Sequence, residues 1–131
     1  MLFRSRTFGE LATHLCGIPR FGLAILNDAS LDLLASPPTD RVALPSRDAI
    51  LTAFDEAVRK MRVAMDKSDA ELNGLWTLKR GDQEMFTLPR IAAVRSFILH
   101  HLIHHRGQLS VYLRLNDIPV PAIYGPSADE G

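Results

Sequence analysis

The sequence predicts an all-α protein: a helical bundle in one domain, residues 1–131, with a small β-hairpin and an extended C-terminal tail. Three observations carry that prediction. Three stretches repeat apolar residues at helical spacing behind recognisable caps, a strand–turn–strand pattern interrupts them, and prolines punctuate the segment after Leu115. A chain of 131 residues that is 47% hydrophobic and 23% charged has enough apolar material for one core.

The first helix opens at Thr7-Phe8-Gly9-Glu10, where Thr7 and Glu10 match a capping box that satisfies free amides reciprocally. Leu11, His14, Leu15 and Ile18 then recur at helical spacing, so His14 falls on the apolar face. Pro19 removes a backbone donor and is expected to kink or interrupt the helix. The run resumes through Phe21–Ile25 and stops before the breaker Ser36-Pro37-Pro38. Pro45-Ser46 opens the second helix, with Ser46 as N-cap and Asp48 in the favourable first turn. Ile50, Leu51, Phe54, Val58, Met61 and Met65 form its inward stripe, which ends near Lys67. Ser68-Asp69-Ala70-Glu71 is a second capping box, enough for one short turn.

Leu75–Leu78 and Glu84–Thr87 flank Lys79-Arg80-Gly81-Asp82-Gln83 and predict a β-hairpin. A lone hairpin is marginal in water, so it should pack on the helices. The third long helix starts near Leu88-Pro89, capped by Thr87, and runs to about Leu115. From Asn116 to Pro126 the chain is too proline-rich for a helix or a central strand and should lie extended on the bundle surface.

Composition narrows the function. Fifteen basic and fifteen acidic residues balance, and no basic stripe stands out, which argues against nucleic-acid binding. The apolar runs are far too short to span a bilayer, and Met1–Arg6 carries no secretory signal. The single cysteine, Cys16, excludes an internal disulfide framework and fits a reducing cytoplasm.

Four of the five histidines crowd into His100-His101-Leu102-Ile103-His104-His105. His101 and His105 stand four apart, as do His100 and His104, so each pair shares a helix face and could hold one divalent cation. Periodicity chooses between them. Val94, Ile98, His101, His105, Gln108, Tyr112 and Leu115 form a stripe that is apolar at both ends. The rival stripe, Ala93, Phe97, His100, His104, Gly107, Val111 and Arg114, ends in a charge. Polar groups facing inward need partners, because an unpaired buried one costs about 1–3 kcal/mol. A metal on His101 and His105 meets that need. The third ligand is assigned to His14, the only histidine elsewhere; the competing reading is a hydrogen-bonded core histidine. Cys16 lies on a different face from His14 and is excluded. Gln108 and Tyr112, one and two turns beyond His105, are candidate pocket residues, or else a satisfied core amide and phenol. Arg106 reads as a structural or tail-binding cation, and Met61 and Met65 as core.

The run His101-Leu102-Ile103-His104-His105-Arg106-Gly107-Gln108-Leu109, the upstream Gly9–His14 and the Pro119–Glu130 tail together resemble the DinB-like family of small bacterial metalloproteins. The resemblance implies a four-helix bundle, generally a homodimer, with a divalent metal, often nickel or zinc, on three histidines. Those ligands map onto His14, His101 and His105. Relatives in the wider superfamily are transferases and isomerases that use low-molecular-weight thiols. The resemblance therefore implies a metal-dependent enzyme of thiol-transferase or hydrolase type acting on a small molecule. In it the cation is a Lewis acid that lowers the pKa of a bound group. The alternative is a non-catalytic, metal-stabilised, stress-associated dimer. The family normally carries a long helix before the one with its first histidine. Only Met1–Arg6 precede the capping box here, so three long helices are expected. One apolar side is then left for a partner chain, an upstream extension or a rearrangement to cover.

Overall fold

In the computed structural model, residues 6–36 and 42–130 are described. The Pro37-Pro38 breaker, the residues before Arg6 and Gly131 lie outside them. Helix α1, Phe8–Asn27, starts at the capping box. Thr7 Oγ1 accepts from the Glu10 amide at 3.2 Å, and the Glu10 carboxylate accepts from the Thr7 amide at 2.8 Å. The helix does not stop at Pro19. The ring there is fully buried, and its apolar burial offsets the missing backbone bond. At the far end, Arg90 Nη1 donates to the carbonyls of Ile25 and Asp28, each at 2.5 Å, supplying partners that a helix terminus otherwise lacks.

Helix α2, Arg47–Ala64, is capped by Ser46, whose Oγ accepts from the Ala49 amide at 3.1 Å. Of its predicted stripe, Met61 is buried and Leu51 is exposed, so the helix meets the core along a narrow seam. Helix α3, Asp69–Asn73, is the predicted short turn, with Ser68 and Glu71 forming both halves of the capping box.

The all-α expectation is corrected by the strands. Ser30–Asp32 (β1), Leu75–Arg80 (β2) and Gln83–Pro89 (β3) form a three-stranded mixed sheet in the order β1-β2-β3. β2 and β3 are the predicted antiparallel hairpin, longer than its apolar runs, with Met85 bulged out between Leu78↔Phe86 and Lys79↔Glu84. Gly81 takes a φ of 60° at the first turn position, where a type II′ hairpin wants glycine. β1 adds in parallel beside β2, with Leu31 opposite Leu78. Three residues are too few to show a strand period, and pairing with a distant segment creates this strand.

The Asp32 carboxylate fixes β1 to the hairpin, accepting from the Gly81 and Leu34 amides at 2.9 Å each. Those two amides hold the Asp32 carboxyl below the usual carboxylate range. A depressed folded-state pKa contributes stability that is present above the unfolded value, about 3.9, and lost as pH falls through the folded one. Protection of the Gly81 amide, corrected for intrinsic exchange, is therefore expected to drop below about pH 4. Hydrogen exchange by NMR checks this. A drop that persists in Asp32→Asn would assign it to another group.

The third long helix departs from expectation at its start and in its middle. Leu88 and Pro89 end β3, Pro89 occupies the N-cap, and Thr87 bonds across the strands to Thr77 at 2.8 Å instead of capping. Helix α4, Arg90–Val94, runs into a π-helical segment, Arg95–Leu99, and then into α5, His100–Leu115. Such widened turns often stand at functional sites. The tail forms no helix or strand, but it doubles back where an extended course was expected. Asp129 Oδ2 meets Arg114 Nη1 at 2.8 Å and accepts from the Val120 amide, and Glu130 accepts from the Ala122 amide. Arg114, and not Arg106, is the tail-binding cation.

The core lies between α1, the α4–π segment and one face of the sheet. Trp76 on β2 is fully buried, with the rings of Phe21 and Phe97 at 6.0 and 6.3 Å, among Ile25, Val94 and Ile98. On α5, Ile103, Val111 and Leu115 are exposed; Leu115, expected at the end of the inward stripe, projects beyond the packed part of the helix instead. Among the described residues no helix is long and apolar enough to cross a membrane.

Candidate metal centre

α1 and α5 pack together so that one histidine from α1 meets a pair from α5. The capping box sets where α1 begins, and the apolar face of Leu11 and Ile18 turns His14 toward α5. On α5, His101 and His105 are one turn apart and partly buried, whereas His100 and His104 are exposed. The His14 Nε2 lies 3.3 Å from His101 Nε2 and 3.1 Å from His105 Nε2. All three nitrogens lie within 4.8 Å of one another.

The two His14 distances fall in the range that a shared cation gives. Nitrogens bound to one ion at about 2.0–2.1 Å sit about 2.9–3.4 Å apart across octahedral to tetrahedral angles. Hydrogen bonding alone suits the arrangement poorly. His101 Nδ1 faces the Phe97 carbonyl at 3.3 Å, and His105 Nδ1 faces Gln108 Oε1 at 2.7 Å. Both acceptors call for a proton on Nδ1, which leaves an Nε2 lone pair on each ring aimed at His14. One Nε2–H on His14 could serve one of them well, not both. Three convergent imidazole nitrogens could hold a divalent metal ion.

Burial, reinforced by the His14 charge, lowers the His101 pKa against the pull of the Phe97 carbonyl. Burial also lowers His105, although its bond to Gln108 works the other way. Both effects favour the neutral imidazole, the form that binds metal.

The remaining sequence candidates fall outside the triad. Gln108 is exposed and acts on His105 Nδ1, orienting that ring. The Tyr112 hydroxyl donates to the Arg6 carbonyl, and its ring stacks on Phe8 at 6.0 Å, so it pins the start of α1 to α5. The His104 ring stands edge-on to His105 at 4.8 Å. Cys16 is buried, bonding weakly to the carbonyls of Ala12 and Ile50 at 3.4 Å. Burial pushes its thiol pKa up, partly opposed by the charge of Arg20. Met61 is core, and Met65 packs against it.

Beside the triad lies a cavity of about 500 Å³, a size typical of small-molecule sites. His14 and His101 form part of its wall, with Phe21 and Ala24 of α1, Leu31 of β1, Leu33 after it and Ala53 of α2. Among the described residues of that lining, Arg20 is the one Lys or Arg and there is no carboxylate. Sequence reasoning missed this cavity. Its walls come from segments far apart in the chain, and no sequence pattern singles out Arg20.

A family model described as the DinB family matches residues 4–131. The chain is also similar to the "Uncharacterized protein YrdA" of Bacillus subtilis (strain 168), with 47% identity over 34 residues. That stretch is 26% of this chain and spans only 20% of the relative's own length. No solved structure matches the chain.

Proposed function

The chain belongs to the DinB family, and from that premise we propose that it is a divalent-metal protein whose ion, nickel or zinc, is held by His14, His101 and His105. The convergence of three imidazole Nε2 atoms, two of them 3.1 and 3.3 Å from the third, carries this reading. A catalytic site of this kind has three protein ligands and keeps a position open. The ion would supply Lewis acidity toward a thiol or water. The protein's own part is to present neutral imidazoles, to fix their rings through Phe97 and Gln108, and to offer an apolar cavity where a substrate can be held away from bulk water.

The cavity favours a metal-dependent enzyme of thiol-transferase or hydrolase type, with a low-molecular-weight thiol as co-substrate of the transferase, over a purely structural ion. A non-catalytic, metal-stabilised dimer is the second reading, favoured by the apolar residues exposed on α5, where a second copy would pack. The single cysteine suits the cytoplasm as the working compartment. Calorimetric titration of chelator-treated protein with zinc or nickel is expected to show one ion per chain. No binding would overturn both readings. One bound ion with no turnover across thiol and electrophile panels would leave the second.

A further inference from the structure

The cavity beside the triad has a chemical bias of its own. Its walls are largely apolar, through Phe21, Ala24, Leu31, Leu33 and Ala53, and its one guanidinium, Arg20, faces no carboxylate in the lining among the described residues. Arg20 is exposed, so it stands at the rim, where a charged head could stay hydrated. The acidic side chain on α2 that feels its charge, Glu56, is already engaged by Lys60 at 2.6 Å. α1 fixes the distance to the histidines, because His14 and Arg20 are six residues apart, about 9 Å along a helix axis.

We propose that this cavity binds a small apolar monoanion, a carboxylate on an aryl or alkyl body, with its carboxylate on Arg20 and its far end against His14 and His101. Guanidinium pairs carboxylate in a two-pronged geometry that a neutral analogue cannot match. The apolar walls then reward burial of the body. The identity of the far end as the reacting end rests on the metal reading above; binding in the cavity does not.

The test uses the full chain and two probes, 4-phenylbutyrate and its neutral amide, 4-phenylbutanamide. Calorimetry is run on metal-free protein and again after zinc addition, and NMR follows the histidine ring protons. The carboxylate is expected to bind metal-free protein at least about tenfold more tightly than the amide, and Arg20→Gln should remove that preference. Ala53→Leu, which fills the cavity, should weaken both probes. Resonances of His14 and His101 should shift, and those of His100 should not. Equal binding of the two probes, an Arg20→Gln variant that keeps the preference, or shifts confined to surface residues would overturn the proposal. If zinc fails to bind while the carboxylate preference survives, the metal reading falls and the cavity proposal stands.

Discussion

Replacing His105 with alanine is expected to lower zinc or nickel affinity by more than about 100-fold, the upper range for loss of a mere supporting partner. The substitution removes one of three nitrogens and leaves His14 and His101, 3.3 Å apart, as a two-point site. His105 is outside the packed core, so the fold should survive, which circular dichroism checks. Gln108→Ala should cost less, about 10–100-fold, because it removes only the acceptor that fixes the His105 ring. His100→Ala should bind as wild type does, since its ring is exposed. Competition against a chromophoric chelator measures all three. If His105→Ala and His100→Ala bind alike, the triad is not the site.

Trp76→Ala is expected to destabilise the protein by about 3–5 kcal/mol, the range for deleting a large buried aromatic. The indole is fully buried and bridges the sheet to α1 and the π segment through Phe21 and Phe97. One detail separates packing from polarity. Trp76 Nε1 is buried with no hydrogen-bond partner among the described residues, and an unpaired donor of that kind costs about 1–3 kcal/mol. Trp76→Phe gives up ring volume but also removes the orphan N–H, so it should cost well under half as much as alanine. Urea denaturation with unchanged slopes measures both variants. Equal losses would mean that ring packing is not what Trp76 contributes.

Much of this architecture was legible from short-range chemistry. Thr7 with Glu10, Ser46, and Ser68 with Glu71 mark three helix starts because caps act within four residues. The inward face of His101 and His105 followed from a stripe that the helix period makes visible. Features made by distant partners were not legible. β1 exists because β2 lies beside it and Asp32 reaches the hairpin turn. Pro19 sits inside α1 because the core closes over its ring. The π segment leaves no mark in the apolar pattern, since Val94 and Ile98 stay buried on either side of the widened turn's start. For His14, the sequence showed a face but no distance, and neither Arg20 nor the cavity could be inferred without the packing of β1 and α2.

The His14 contacts join residues 87 and 91 positions apart. Under the metal reading, the ion is therefore a reversible cross-link that closes most of the chain into a ring, comparable in topology to a long-range disulfide. Because the unfolded chain holds no such preformed site, ligation energy becomes folding energy. An ion at 100 times its dissociation constant would add about 2.7 kcal/mol. The melting temperature would then follow the free metal concentration, making the whole fold a reporter of metal supply.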